Sequence, residues 1–460
     1  MRRIALALAL FSVAMSPGAA TADFVDDYAA LLSEARIDEA VALAEADAGV
    51  DAPGTAALAL GAARFAAAVE GLIQGLHRYG LASEFSNAPL QMAGLPFLRL
   101  PAPENPAPET VTYAGLRALL VDFAAGLDAA RAALEGVPAQ APDAATQLPL
   151  DLATVRLDLD GDGDPDGSLI DLMARVAGPA GAFGAIPERF AADFDAADAA
   201  WLAAYSHLLG GLAEILLAHD WEASFDATFA GLFPRSFPHD TAIARQARER
   251  REAFASLGPL PTPPACARWE DDPVCAALWL EFESDPAIGM AAMLGMEGRY
   301  ASIADLVAFV HLLRWPVAEP ARMAAALAHL EGMATMSRET ARRIAAETDD
   351  RAEWIPAPGQ SGVVAGLPID ETTVVAWMGV LDEIDEILAG RLLVPHWRFE
   401  QGVNLRRMFL EPGALDLVLI LQGAGVEPYL EPGPVADART WEALSGAFGG
   451  RFLPYAIWLN

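Results

Sequence analysis

Apolar residues recur at helical spacing through most of this chain, and this pattern limits the fold more than any other feature. One face of a helix over 116–134 collects the following residues: Leu116, Leu119, Leu120, Phe123, Leu127 and Leu134. Further helices are predicted over 24–48, 55–79, 187–219, 241–256, 276–296, 302–314, 319–333, 337–348 and 371–388. The pattern therefore predicts an all-α fold, mainly helical, with at most a minor β-hairpin.

The N-terminus has the features of a secretory signal peptide. Arg2 and Arg3 precede an apolar run over 4–14, and small residues lie at Ala20 and Ala22, where a signal peptidase cleaves. The run is shorter than the roughly 20 residues of a membrane-spanning helix. We therefore expect residues 1–22 to be a cleaved signal peptide and the mature protein to be secreted or periplasmic. The alternative is an uncleaved anchor or a buried first helix.

The junction after residue 22 lacks a cysteine, so lipid attachment is not expected there. No later segment is judged long and charge-free enough to cross a membrane, so no integral membrane segment is expected after cleavage.

Segments rich in proline and glycine suggest where the mature chain divides. They cover 101–108, 136–149 and 351–370. A chain of this length exceeds one ordinary core, so two or three packed helical units are expected. The predicted divisions are an N-terminal helical unit over 23–150, a central unit over 151–350 and a C-terminal helical or mixed unit over 351–460.

The chain is strongly acidic, with a formal net charge of −33. All 30 basic residues are arginine, and lysine is absent. Lysine-dependent chemistry, such as a Schiff base or a P-loop phosphate site, is therefore excluded. Binding of nucleic acid is not expected, because it depends on neutralising phosphates with cationic groups. The charge favours cations or partners with basic surfaces.

The two cysteines, Cys266 and Cys275, are nine residues apart. In an oxidising compartment such a pair predicts a disulfide bond. Closing a loop of this size stabilises a fold by about 2–3 kcal/mol in the chain-entropy model. A metal-ligand pair or a redox pair is the alternative, although no CxxC or paired HxxxH motif accompanies them.

A dense aspartate loop gives the most specific chemical signal. Residues 158–167 read DLDGDGDPDG, with Gly163 at the sixth position and carboxylates at alternate positions, namely Asp158, Asp160, Asp162, Asp164 and Asp166. Calcium takes six to eight oxygen ligands, and a glycine at position six allows the turn that gathers them. The loop resembles the DxDxDG calcium loops of EF-hands, dockerins and integrin-type propeller repeats.

The loop departs from an EF-hand at its twelfth position, which is Leu169 instead of glutamate. Either Asp166 supplies the bidentate contact or Asp171 reaches back to the ion. We expect one structural calcium that holds 152–159 against a helix after Ser168. The alternative is a solvated acidic turn without metal.

Two wider resemblances are weaker than the loop. Residues 35–65 resemble a single tetratricopeptide repeat (TPR), since small residues occur where its two helices would touch. Blocks at 393–399, 404–407, 428–430 and 448–452, with 199–202 and 218–221, are similar to an uncharacterised family of bacterial exported proteins. That resemblance implies no activity, site or mechanism.

The tail contains the only prominent basic cluster, which includes His396, Arg398, Arg406 and Arg407. Such a cluster predicts either an anion pocket, in which arginine grips a carboxylate, or ordinary ion pairs. The favoured ion-pair partners are the acidic residues Asp382, Glu383, Asp385 and Glu386.

His207 and Glu214, seven residues apart, share one helix face, where a hydrogen-bonded core histidine is favoured over a metal ligand or an acid–base pair. GxSxG, HExxH and glycine-rich nucleotide motifs are absent from the sequence. The chain is therefore read as a non-catalytic, calcium-binding helical scaffold that holds a partner protein in a helical groove. An enzyme with a tail pocket lined by histidine and arginine is the alternative.

Overall fold

The structure is a computed structural model of the chain. It describes residues 17–48, 53–81, 103, 105–139, 146–172, 189–228, 232–233, 252–253, 256, 273–286, 307–308, 310–364, 367–437, 446, 448–449 and 452–459. Residues 1–16 of the predicted signal peptide and most of the predicted helix over 241–256 lie outside this set.

The described chain is mainly helical, as the apolar spacing predicts. The helices are α1 Pro17–Ser33, α2 Ile37–Asp47, α3 Pro53–Arg78, α4 Tyr113–Glu135, α5 Ala196–Ala218, α6 Glu222–Thr228, α7 Pro273–Ser284, α8 Pro320–Ile344, α9 Glu371–Leu388, α10 Leu405–Leu410, α11 Leu417–Gln422 and α12 Phe452–Leu459. A short 3₁₀ helix covers Glu427–Tyr429. The all-α prediction is therefore confirmed.

The described strands are short and form antiparallel pairs. They are β1 Leu148–Asp151, β2 Arg156–Leu157, β3 Gly167–Ser168, β4 Ala191–Phe194, β5 Arg314–Trp315, β6 Gly402–Val403, β7 Leu415–Asp416 and β8 Leu430–Glu431. The pairs are β1 with β4, β2 with β3, β5 with β7 and β6 with β8.

Helix α5 lies at the centre of the helical core and packs against both α4 and α8. Most of its buried residues are small, including Ala199, Ala203 and Gly210, so neighbouring helices can approach it closely. Helix α4 in turn packs on α3, and α3 packs on α2. Glycines again allow the approach, since Gly126 of α4 faces Ala68 of α3.

Side-chain caps fix several helix ends. The carboxylate of Asp195 accepts the backbone N–H of Ala197 at 2.6 Å and, with Asp198, forms a capping box at the start of α5. The carboxylate of Asp370 accepts the N–H of Thr373 at 2.8 Å at the start of α9. The predicted helix over 371–388 therefore has the predicted bounds.

Several predicted helix bounds are wrong. The predicted helix over 187–219 begins only at Ala196, because residues 191–194 form strand β4. The predicted helix over 24–48 is two helices, because the chain turns at Ala35, whose φ of 57° lies in the left-handed region. The predicted helices over 319–333 and 337–348 are one continuous helix, α8. No proline or glycine marks the break at Ala35. None lies at 334–336 either, the stretch between the two predicted helices that form α8.

The largest hydrophobic cluster contains residues from all three predicted units, from Tyr28 to Trp458. Within it the indole N–H of Trp201 donates to the carbonyl of Trp458 at 2.8 Å. The rings of Trp201 and Trp354 have centroids 5.4 Å apart. The domain boundaries at 150 and 350 stay predictions.

Two described helices, residues 54–78 of α3 and all of α5, are long and apolar enough to cross a membrane by length and composition. This differs from the sequence-based expectation that no segment after residue 22 is long and charge-free enough to cross a membrane. This is weak support for a membrane span, because core helices of soluble proteins meet the same criterion. In this fold α5 packs between α4 and α8.

Candidate metal site

The aspartate loop is the connection between strands β2 and β3. Arg156 pairs with Ser168 and Leu157 with Gly167, and the N–H of Asp166 donates to the carbonyl of Leu157 at 3.0 Å. These contacts bring the two ends of the loop together. The first and last aspartates of the motif therefore lie side by side.

Two glycines and two carboxylates shape the loop. Gly161 and Gly163 have φ values of 80° and 92°, a backbone conformation that residues with a side chain rarely adopt. The Asp158 carboxylate accepts their N–H groups, at 2.7 Å from Gly161 and 3.1 Å from Gly163. Asp166 Oδ2 accepts the N–H groups of Leu159 and Asp160, at 2.7 and 3.0 Å. The backbone thus holds both carboxylates in fixed positions facing the loop interior.

Three of the five aspartates form a group that could hold a cation. Asp158, Asp160 and Asp166 each offer a carboxylate oxygen, and these oxygens lie within 4.8 Å of one another. Oxygens bound to one calcium at about 2.3–2.6 Å are at most about 5 Å apart, so the spacing fits. Burial, and repulsion from Asp166 and Asp162, raise the pKa of Asp160, whereas the N–H of Asp162 opposes the rise.

The other two predicted ligands are outside this group. Asp162 Oδ1 accepts the N–H of Asp164 at 2.8 Å, and both residues are exposed. Asp171 Oδ2 accepts the hydroxyl of Ser168 at 2.7 Å and its N–H at 3.3 Å. The structure therefore places Asp171 with Ser168, apart from the three grouped carboxylates.

Sequence reasoning missed the contact of this loop with helix α3. The N–H of Asp158 donates to Glu70 Oε1 at 2.7 Å, and Gln74 Nε2 donates to the Asp158 carbonyl at 2.8 Å. Leu157 and Leu159 pack in one apolar cluster with Ile73 of the same helix. The first aspartate is therefore fixed to α3 through both of its backbone polar groups.

One signal of this contact was visible in the sequence. Glu70 is the only acidic residue of α3, and it lies on the same helix face as Gln74. Glu70 is buried, which raises its pKa to about 7; the N–H of Asp158 opposes this rise, and the negative charges of Asp158 and Asp38 add to it. A lone buried carboxylate indicates a polar partner from elsewhere in the chain.

A second carboxylate cluster joins the start of α5 to the end of α8. Burial, followed by the charge of Asp195, raises the pKa of Asp198 well above its ordinary value. Burial and the charges of Asp195 and Glu353 raise the pKa of Glu347 to about 8. Asp195 and Asp198 already bond to backbone N–H groups in the capping box, so this cluster caps α5.

The tail arginines pair with acidic residues other than the predicted ones. Arg406 lies 2.6 Å from Glu331 and also donates to the Leu388 carbonyl at 3.0 Å. Arg407 contacts Glu411 and Glu431, each at 2.9 Å. The two arginines therefore reach acidic groups in different directions.

The remaining tail residues make different contacts. The ring of His396 lies 3.2 Å, through Nε2, from the Ile420 carbonyl. Arg398 stacks on Trp397 at 4.5 Å, a cation–π contact on an exposed ring. Of the predicted acidic partners, Asp382 and Asp385 bind Arg338 instead, and Glu386 binds Arg391.

Other predicted site residues are placed as follows. Cys275 is buried in α7, and Cys266 lies outside the described residues, so the disulfide stays a prediction. Glu214 of α5 pairs with Arg322 of α8 at 2.9 Å instead of facing His207. His207 is hydrogen-bonded in the helical core, which agrees with the favoured reading of that residue.

The chain was compared with protein-family models, with curated proteins and with solved structures, and none of the three comparisons finds a match.

Proposed function

We propose that this chain is an exported, non-catalytic, calcium-binding helical protein in which calcium mainly has a structural role. The observation that carries the proposal is the group formed by Asp158, Asp160 and Asp166, whose oxygens fit one calcium ion. The fixed contact of Asp158 with α3 supports it further. A bound ion would strengthen the link between the loop and the N-terminal helices.

Electrostatics and preorganisation favour such binding. Five aspartates within nine residues repel each other at neutral pH, and a divalent cation removes that repulsion. The backbone N–H groups already orient Asp158 and Asp166, so binding requires little reordering of these side chains. The glutamate of an EF-hand is missing, so the affinity suits the millimolar calcium outside cells.

A groove near the N-terminus supports the scaffold part of the proposal. It has a volume of about 730 Å³ and is bounded by α2, α3, α4 and the aspartate loop. Asp38, Asp122 and Asp160 line it, and its two arginines are paired with glutamates, Arg64 with Glu45 at 2.6 Å and Arg78 with Glu109 at 3.9 Å. The acidic lining suits a partner protein with basic side chains.

The test is calcium binding by metal-stripped mature protein. Calorimetry should show one calcium site, and calcium at a hundredfold excess over Kd should stabilise the fold by about 2.7 kcal/mol. Magnesium should stabilise less, because it holds its water shell and prefers a smaller site.

The matched variants separate the site from general charge effects. Asp158→Asn with Asp166→Asn keeps an acceptor for the backbone N–H groups but removes two charges, and it should abolish the calcium-dependent rise in Tm. Glu400→Gln with Glu427→Gln removes two exposed charges elsewhere and should leave the rise intact. No calcium heat and an unchanged melting curve in chelator would leave the loop as an acidic turn.

Export is tested separately. Protein from its native compartment should begin near Asp23 and contain Cys266 and Cys275 as a disulfide. Intact-mass analysis that recovers Met1, or alkylation of both cysteines without reductant, would contradict export and the disulfide respectively.

A further inference from the structure

Helices α5 and α8 carry the same four-residue pattern, a histidine followed three residues later by a glycine. On α5 the pair is His207 and Gly210, and on α8 it is His329 and Gly332. A methyl group at Gly332 would overlap the His207 ring, and one at Gly210 would lie 3.0 Å from the His329 ring. Since the helices are antiparallel, each glycine makes room for the imidazole of the opposite helix.

The two imidazole rings meet between these helices. Their Nδ1 atoms are 3.1 Å apart, which is hydrogen-bonding distance. The outer nitrogens both face carboxylates of α4: Nε2 of His207 lies 3.1 Å from Glu135, and Nε2 of His329 lies 3.9 Å from Asp128. Arg131 bridges the same two carboxylates, at 3.2 Å from Asp128 and 3.1 Å from Glu135. The pair thus links three helices.

The charges around the pair are mostly committed to other contacts. From α4 the pair faces Asp128, Arg131 and Glu135. Farther along the interface between α5 and α8, Glu214 and Arg322 neutralise each other. The pair itself is nearly buried, with 11% and 15% of the two side chains exposed. Its protonation is therefore governed by the three α4 residues and by the partner ring.

The geometry limits how many protons the pair can hold. In the neutral state His207 donates from Nε2 to Glu135 and accepts at Nδ1 the hydrogen of His329. A first added proton can bind Nε2 of His329, which faces Asp128. A second would have to bind Nδ1 of His207, and two N–H groups would then oppose each other at 3.1 Å.

We propose that His207 and His329 form a proton-sharing latch that holds α4, α5 and α8 together. The latch opens when the neutral pair takes up a second additional proton. Mild acid would then loosen the centre of the helical core while the remaining ion pairs stay intact. The latch is independent of the calcium loop.

The electrostatic environment also disfavours protonation of His207. Burial and the charge of Arg131 lower the pKa of His207, and Glu135 opposes this effect. A histidine with a folded pKa below its unfolded value of about 6.5 stabilises the fold above that pH. Its contribution is lost as the pH falls below 6.5, because the unfolded chain then binds the extra proton more readily.

The first test is nuclear magnetic resonance of the imidazole nitrogens between pH 8 and 5 in the intact protein, which needs no variant. The expected result is a coupled pair, with the neutral His207 ring protonated at Nε2 and its pKa below that of an ordinary histidine. Independent titration of both rings near their ordinary pKa would overturn the latch.

The second test is acid unfolding of His329→Gln, with His396→Gln as the control. Withholding one proton from the fold lowers the folded-to-unfolded ratio by up to about tenfold per pH unit below 6.5, or at most about sixteenfold between pH 6.5 and 5. His329→Gln should remove most of this loss, because the glutamine carbonyl can accept from a protonated His207, and the control should keep it.

Equal acid sensitivity of His329→Gln and wild type would overturn the proposal. So would a stoichiometric zinc ion that binds wild type and not His329→Gln, because the two rings would then be ligands of a metal.

Discussion

The contact between α3 and α4 allows a steric prediction at a single glycine. In Gly126→Ala the new Cβ would lie 2.7 Å from the Cβ and 3.4 Å from the Cα of Ala68. Carbon atoms in contact normally lie about 3.5–4.0 Å apart, so the helices must separate by about 1 Å. Ala68 has no side-chain torsion that could relieve the overlap, and overpacking of this kind costs about 1–3 kcal/mol.

The helix propensity of alanine offsets part of this cost. Alanine is favoured over glycine inside a helix by about 1 kcal/mol. We therefore expect Gly126→Ala to lower the free energy of unfolding by about 1 kcal/mol. Gly71→Ala on α3 is the matched control, because a Cβ there has no described atom within 4 Å. It should gain only the propensity and raise stability by about 0.5–1 kcal/mol.

Urea unfolding followed by circular dichroism measures both variants. The midpoint should fall for Gly126→Ala and rise for Gly71→Ala, with unchanged m values. A Gly126→Ala protein as stable as Gly71→Ala would mean that α3 and α4 are farther apart than this packing requires.

Three further changes probe the two clusters and the tail. The folded pKa of Glu347, about 8, exceeds its unfolded value of 4.5, so stability should fall as the pH rises from about 5 to 9. Glu347→Gln should flatten that dependence in thermal melts recorded at several pH values, and an unchanged slope would assign the effect to other groups. Gln74→Ala should cost about 1 kcal/mol and weaken calcium binding, since the Asp158 carbonyl loses its donor; calorimetry with unaltered affinity would show that the contact with α3 does not support the site. Arg406→Ala should lower Tm through loss of its ion pair to α8, without loss of any ligand; a small anion that protects wild type but not this variant in a thermal-shift screen would instead favour an anion pocket.

Local features of the fold could be predicted from the sequence. The helix over 371–388 has a capping aspartate before it and an apolar face along it, so both of its ends were predictable. The turn at Ala35 was not, because an alanine in the left-handed region leaves no compositional signal. The predicted division of α8 is wrong in the opposite sense, because one helix continues without interruption from Pro320 to Ile344.

Non-local contacts were beyond a reading by periodicity. The loop motif indicated a cation site, but its attachment to Glu70 joins residues 88 positions apart. The basic residues of the tail predicted ion pairs, and Arg406 and Arg407 do form them. Charge alone did not identify Glu331 as the partner of Arg406. The pair of His207 and His329 depends on the antiparallel register of α5 and α8, which single-helix patterns do not contain.

The tryptophan contacts in the main core make its packing visible to spectroscopy. Two indoles with centroids 5.4 Å apart, Trp201 and Trp354, are close enough for their excited states to couple, so the native fold should have a strong near-ultraviolet circular dichroism signal. The indole of Trp201 also bonds to the carbonyl of Trp458, near the end of the chain. Release of helix α12 would therefore change the emission of a residue more than 250 positions away. One optical measurement would then report whether the chain terminus is docked, without any attached label.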